Sequence, residues 1–307
     1  MRALVFTNLY PSAQSPARGS FVRDQFSELE RLPGLDLELF TFGVGGASAY
    51  VRAAHEARRR YRGVRFDVIH AHFGLCAWPA LTLPAAARAV TLHGTDLVDP
   101  RSRPITLAAL PLLDLVAPVS SSLAALVPKR AVRGKLAVLP CGVNTRRFKP
   151  IPRVQARRAL GLDEDRPYLL FPADPDRREK RYDRALAVAG DVPLLAVGNV
   201  DPDEMPLWVN AANAVLVPSD RESFGLAILE ALACDVPVLA TEVGVAPEVL
   251  PEVSGAYCGA FDASVWRAKL APALSEPDPR VRGRPVAERY SAERMAAEVL
   301  AEWQSLG

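Results

Sequence analysis

Short apolar runs alternate with stretches of helical spacing along the whole chain, a rhythm that predicts parallel sheets flanked by helices. In the first half the runs predict strands near Ala3–Thr7, Leu35–Thr41, Asp67–His70, Ala89–Thr91, Leu113–Pro118 and Leu136–Leu139. Helical patterns fall between them near Phe21–Arg31, Ala49–Tyr61 and Ser120–Val127. The second half repeats the scheme, with strands near Tyr168–Pro172, Leu194–Val197, Ala214–Val217 and Val238–Thr241. Around Asn144–Arg153 the pattern stops in a polar, proline-bearing segment of the kind that joins domains. The expectation is an α/β chain of two doubly wound, Rossmann-like parallel-sheet domains, residues 1–148 and 149–288, facing a cleft, with a terminal helix within 289–307.

A chain of 307 residues with 50% hydrophobic content suits two cores rather than one. Its net charge of +2 gives no reason to expect nucleic acid as a partner. The four cysteines form no CxxC pair, so neither a zinc site nor a disulfide framework is suggested, and a reducing cytoplasm is the expected compartment. The chain opens directly on an apolar strand without the pattern of a secretion signal, and no apolar run nears the roughly 20 residues that span a bilayer. Any membrane contact is expected at the surface, on the inner face.

The stretch Pro218–Leu250 carries the densest chemistry. Strand, loop, helix and strand follow one another there, so unpaired amides and the positive end of a helix gather near Ser223, Phe224, Gly225 and Leu226, a place for an anion such as phosphate. Glu222 precedes that turn and Glu230 follows on the helix. Their separation, roughly 12 Å along the chain path, is too great to share one proton or metal and suits opposite ends of one long ligand. The bland alternative is a first-turn charge and a solvated helix residue.

Other polar positions cluster at predicted strand ends. His93-Gly94-Thr95-Asp96 follows the strand ending at Leu92, where open sheets bind ligands, although His93 could simply bond its own loop. His70 and His72 lie two apart and share a face, but no third ligand completes a metal set. The string Phe171–Asp183 ends a strand and opens a helix; its cations, among them Arg177 and Lys180, could neutralise a leaving diphosphate or could be a solvated helix start. In the loop Asn8–Ser20, Gly19 allows backbone amides to approach a phosphate. Gly43–Gly46 lacks the full dinucleotide fingerprint and reads as a turn. The basic run Arg52–Arg62 reads as a solvated face or, with Tyr61, as a rest for anionic lipid.

The combination of Glu222, seven residues and Glu230, with Phe224-Gly225 between and Gly244–Glu248 after the next strand, resembles the retaining nucleotide-sugar glycosyltransferases of family GT4, which have the GT-B fold. The string Asp67–His72, the segment Leu139–Asn144 with Phe148, and the His93-Gly94 pair are similar to the same family. The resemblance implies that Glu222 binds donor-sugar hydroxyls, Glu230 the ribose, and the Phe224 turn with Lys180 and an arginine the diphosphate. It places His93 near the reacting sugar, His72 and Asp96 on the acceptor side, and the terminal helix back on the first domain. The usual Gly-Arg pair is absent before Lys180, so the arginine role is assigned to Arg177 with Arg178 as the alternative; Gly19-Ser20 stands where relatives often have two glycines. The implied activity is hexosyl transfer with retention from a UDP- or GDP-sugar to a carbohydrate or lipid-linked acceptor in glycan, glycolipid or envelope polysaccharide synthesis, with no cofactor and no metal. A sugar-nucleotide epimerase, a phosphorylase and a silent binding module share the fold and stay open.

Overall fold

The computed structural model describes residues 1–307. The first sheet holds β1 (Arg2–Thr7), β2 (Asp36–Thr41), β3 (Phe66–His72), β4 (Ala85–Leu92), β5 (Leu115–Pro118) and β6 (Lys135–Leu136), in the order β2-β1-β3-β4-β5-β6. The second holds β7 (Leu169–Phe171), β8 (Leu194–Ala196), β9 (Ala214–Val217), β10 (Val238–Ala240) and β11 (Tyr257–Cys258), in the order β11-β10-β9-β7-β8. Every pairing is parallel, so helical crossovers link the strands. Ala3, Leu4, Val5 and Phe6 are all buried, which is why β1 reads as a continuous apolar run: both of its faces are covered.

Two compact units result. One comprises Met1–Pro11, Gly19–Gly142 and Glu293–Gly307; the other comprises Ser12–Arg18 and Val143–Ala292. In the first unit, Val299 and Trp303 of the terminal helix Ala292–Gln304 are buried. In the second, Trp266 centres a core with Leu169, Phe171, Leu216, Leu239 and Leu270. Its helix Ala263–Ser275 is held at the start by Asp262, whose carboxylate accepts from the amides of Ser264 and Val265.

Each sheet has one place where consecutive strands go to opposite sides: between β1 and β3, and between β7 and β9. Loops diverge there and leave a crevice at the carboxyl ends of the strands, where side chains can converge on a ligand.

Several elements differ from expectation in extent. β6 ends at Leu136, and Pro140, which has no amide to donate, closes that stretch. The helix expected over Ser120–Val127 is reduced to Ser121–Ala124, capped by Ser120 Oγ and stopped before Pro128. β11 is too short to stand out in the pattern. On the helix Ala47–Arg60, Ala49, Ala53 and Ala57 form the buried stripe and Arg58, Arg59 and Arg60 the exposed face. Tyr61, at the end of this run, takes no part in the exposed basic face. It is 3% exposed, packed edge-on to Phe40 and Phe66, and therefore offers no ring to a membrane. No helix is long and apolar enough to cross a membrane.

Candidate active site

In the second unit the loops after β7 and β9 meet at the crevice. Lys180 comes from the first loop and Glu222 from the second, and its ammonium stands 2.7 and 2.6 Å from the two carboxylate oxygens. Ser219 Oγ donates a further bond to Glu222 at 2.8 Å. Only 14% of the lysine side chain and 11% of the glutamate side chain are exposed, so the pair is shielded enough for its charge attraction to matter. The loops are stitched further by Arg181 and Arg184, both paired with Asp220, and by the Asp220 amide, which donates to the Glu179 carbonyl at 2.9 Å.

Beyond Glu222 the chain turns through Gly225, at φ 86, into the helix Leu226–Ala233. The first amides of that helix lack intrahelical partners, and the turn before them is pinned: the Val245 amide donates to the Phe224 carbonyl at 2.7 Å. Phe224 is buried with its ring near Tyr290, while Ser223 and Leu226 are half-buried. Glu230 lies in the second turn, also half-buried. Arg177 is exposed and chelated by Glu179 two residues on, at 2.6 and 3.0 Å.

In the first unit, β3 and β4 place three imidazoles in a ladder. His70 stacks on His72 with centroids 5.0 Å apart, and His72 on His93 at 5.3 Å. His72 Nδ1 and His93 Nε2 share a hydrogen bond of 3.1 Å. Burial drags all three below the ordinary histidine range, His72 to about 3; His70 and His93 are lowered further by neighbouring imidazoles. The ladder is therefore neutral at physiological pH, and it carries hydrogen bonds rather than charge. Phe21 lies against His93 with centroids 4.8 Å apart. Gly19, at φ 68, caps the helix Ser20–Leu29 that carries Phe21.

Asp96 follows His93 in the next turn. Its carboxylate accepts from the amides of Gly74, His93 and Gly94 at 3.1, 3.0 and 2.8 Å and is wholly buried, so it holds the His93 turn. Burial pushes its pKa up, against the pull of those amides.

These features can be set beside known proteins. The profile of the group 1 glycosyl transferases matches residues 174–289, and that of glycosyltransferase family 4 matches residues 16–147. A D-inositol 3-phosphate glycosyltransferase of Actinosynnema mirum is 31% identical over 318 aligned positions, covering 81% of this chain and 72% of the relative. The chain belongs to the group 1 glycosyltransferases of family 4. Against other relatives of the same name it spans 61% and 47% of their length. Among solved structures, a sucrose-phosphate synthase from Thermosynechococcus elongatus matches 99% of this chain and 98% of its own with a TM-score of 0.74 at 21% identity. Anabaena HepE in complex with UDP and glucose matches 99% and 100% with a TM-score of 0.72 at 15% identity. The structural likeness establishes the fold, GT-B.

In this glycosyltransferase the structure brings Lys180, Glu222, Ser223, Phe224, Gly225 and Leu226 to one crevice, with Glu230 on the helix that follows, and His72 and His93 to one ladder. Three participants escaped sequence reasoning. Asp220 could have been suspected from its sign, an acid opposite a basic loop. Thr91 could have been placed by strand alternation, which sets it on the face of His93. Trp303, 233 residues from His70, carries no local signal.

Proposed function

We propose that this enzyme transfers a sugar, with retention of anomeric configuration, from a UDP- or GDP-sugar to an acceptor hydroxyl on a carbohydrate or lipid-linked molecule. The observation that carries it is the shielded Lys180–Glu222 pair beside the start of the helix Leu226–Ala233. A diphosphate set against that helix start would draw Lys180 to itself and free Glu222 to accept from the sugar hydroxyls, with Glu230 on the ribose. Departure of the nucleoside diphosphate builds negative charge, which Lys180, Arg177 and the turn amides stabilise. With protein cations in that role no metal is called for, and the departing phosphate oxygen serves as the base for the acceptor proton. A bound complex of HepE with UDP and glucose supports the uridine choice, and the inositol-phosphate name of the relatives supports a hydroxylated acceptor. Synthesis of glycans or envelope lipids at the inner membrane face is the setting this activity suits.

Nucleotide release from a panel of UDP- and GDP-sugars, with and without acceptors, tests the proposal. One donor should be turned over in an acceptor-dependent way, and Glu222→Gln should lower transfer by about a hundredfold or more. Normal transfer by that variant removes Glu222 from the site; donor binding without transfer to any acceptor favours a silent binding module.

A further inference from the structure

The directions of the two hydrogen bonds that His70 makes follow from Trp303. The Trp303 indole is a donor only and gives its N–H to His70 Nδ1 at 2.9 Å. His70 is wholly buried and neutral, and a neutral imidazole has one N–H; with Nδ1 accepting, that proton sits on Nε2. Nε2 then donates to Thr91 Oγ1 at 2.7 Å. A threonine hydroxyl has a single proton of its own. Because Oγ1 already accepts from His70, and this is the only hydrogen bond of the Thr91 side chain, that proton is free to be given away.

Thr91 is 4% exposed, and it lines a recess together with His93. Phe21, Val119, Leu139 and Met295 supply apolar walls, Gln25 adds an uncharged amide, and no lysine or arginine borders it. An anion would find no counter-charge there. An uncharged oxygen on a small arm, such as a hydroxyl or hydroxymethyl group of a sugar, finds a proton donor and an apolar seat.

We propose that Thr91 is a substrate-binding residue, donating its hydroxyl proton to an uncharged sugar oxygen beside His93, and that Trp303, acting through His70, is the positioning residue that fixes Thr91 as the donor. The identity of the ligand as a sugar rests on the transferase activity proposed above; the polarity of the Trp303–His70–Thr91 chain does not.

Two sets of measurements test it. Nitrogen-15 NMR of the substrate-free protein should show His70 protonated on Nε2 in the wild type and a mixture of tautomers in Trp303→Phe, which keeps the ring but removes the N–H. His70 protonated on Nδ1 in the wild type overturns the positioning claim without reference to any substrate. In transfer assays Thr91→Val should lower kcat/KM by about five- to tenfold, Thr91→Ser should recover most of that loss, and Trp303→Phe should fall between. Wild-type kcat/KM in a folded Thr91→Val protein overturns the binding claim. Thermal unfolding of each variant separates a loss of fold from a loss of contact. Undiminished transfer by Glu222→Gln would instead sink the proposed donor site and leave the histidine polarity to stand or fall by the spectra.

Discussion

Gly244 has room for a hydrogen and little else. Its φ is 55, and a Cβ there would lie 2.3 Å from the Phe224 carbonyl oxygen, so the loop after β10 can close on the Phe224 turn only if this residue has no side chain. Gly244→Ala should destabilise the second unit by about 2 kcal/mol or more and weaken donor binding, both measurable by thermal shift with and without nucleotide sugar. Gly43 is a contrast: its surroundings are open, and Gly43→Ala should leave the melting temperature within about a degree or two. At this scale the residue types of the proposed donor site were legible, because the order of glutamate, Phe-Gly and glutamate is local. That Lys180 and Glu222 neutralise each other was not, because 42 residues and two strands separate them.

β3 and the turn after β4 act together through His70, His72 and His93, and burial of these imidazoles makes stability depend on pH. In the unfolded chain His72 takes up a proton near pH 6.5, whereas in the folded chain burial delays that to about 3. The unfolded state therefore binds more protons across that window, and stability falls as the pH drops below 6.5, by about 1.4 kcal/mol per pH unit for each such histidine. His70 and His93 are shifted in the same direction. Asp96, with a raised pKa, works in the opposite sense but only toward the acid end. The melting temperature of the first unit should drop steeply between pH 7 and pH 5, and His72→Gln should flatten the slope. A wild-type profile that is level over that range would show that the ladder is open to solvent. Strand alternation alone put His70 and His72 on one face; the cross-strand alignment of His72 with Thr91 in the β3–β4 register came from the fold.

The two units depend differently on distant parts of the chain. Trp303 is 1% exposed in the first unit, so Trp303→Ala should cost about 3–5 kcal/mol there, seen as faster amide exchange in β3 and β4 with protection in β7 and β9 unchanged. Equal loss in both units would contradict that localisation. The sequence by itself determined the alternation of strand and helix, the parallel sheets, the family, and the residue types at the strand ends, because each is written in spacing over a dozen residues or fewer. Tertiary structure alone decided which polar groups meet: Lys180 with Glu222, Asp96 with three backbone amides, and Trp303 with His70. Apolar periodicity specifies which face of an element is buried, but many strand orders bury the same faces. Only the order the chain adopts brings the carboxyl ends of β7 and β9 side by side, and with them a lysine and a glutamate that neither loop could have named for the other.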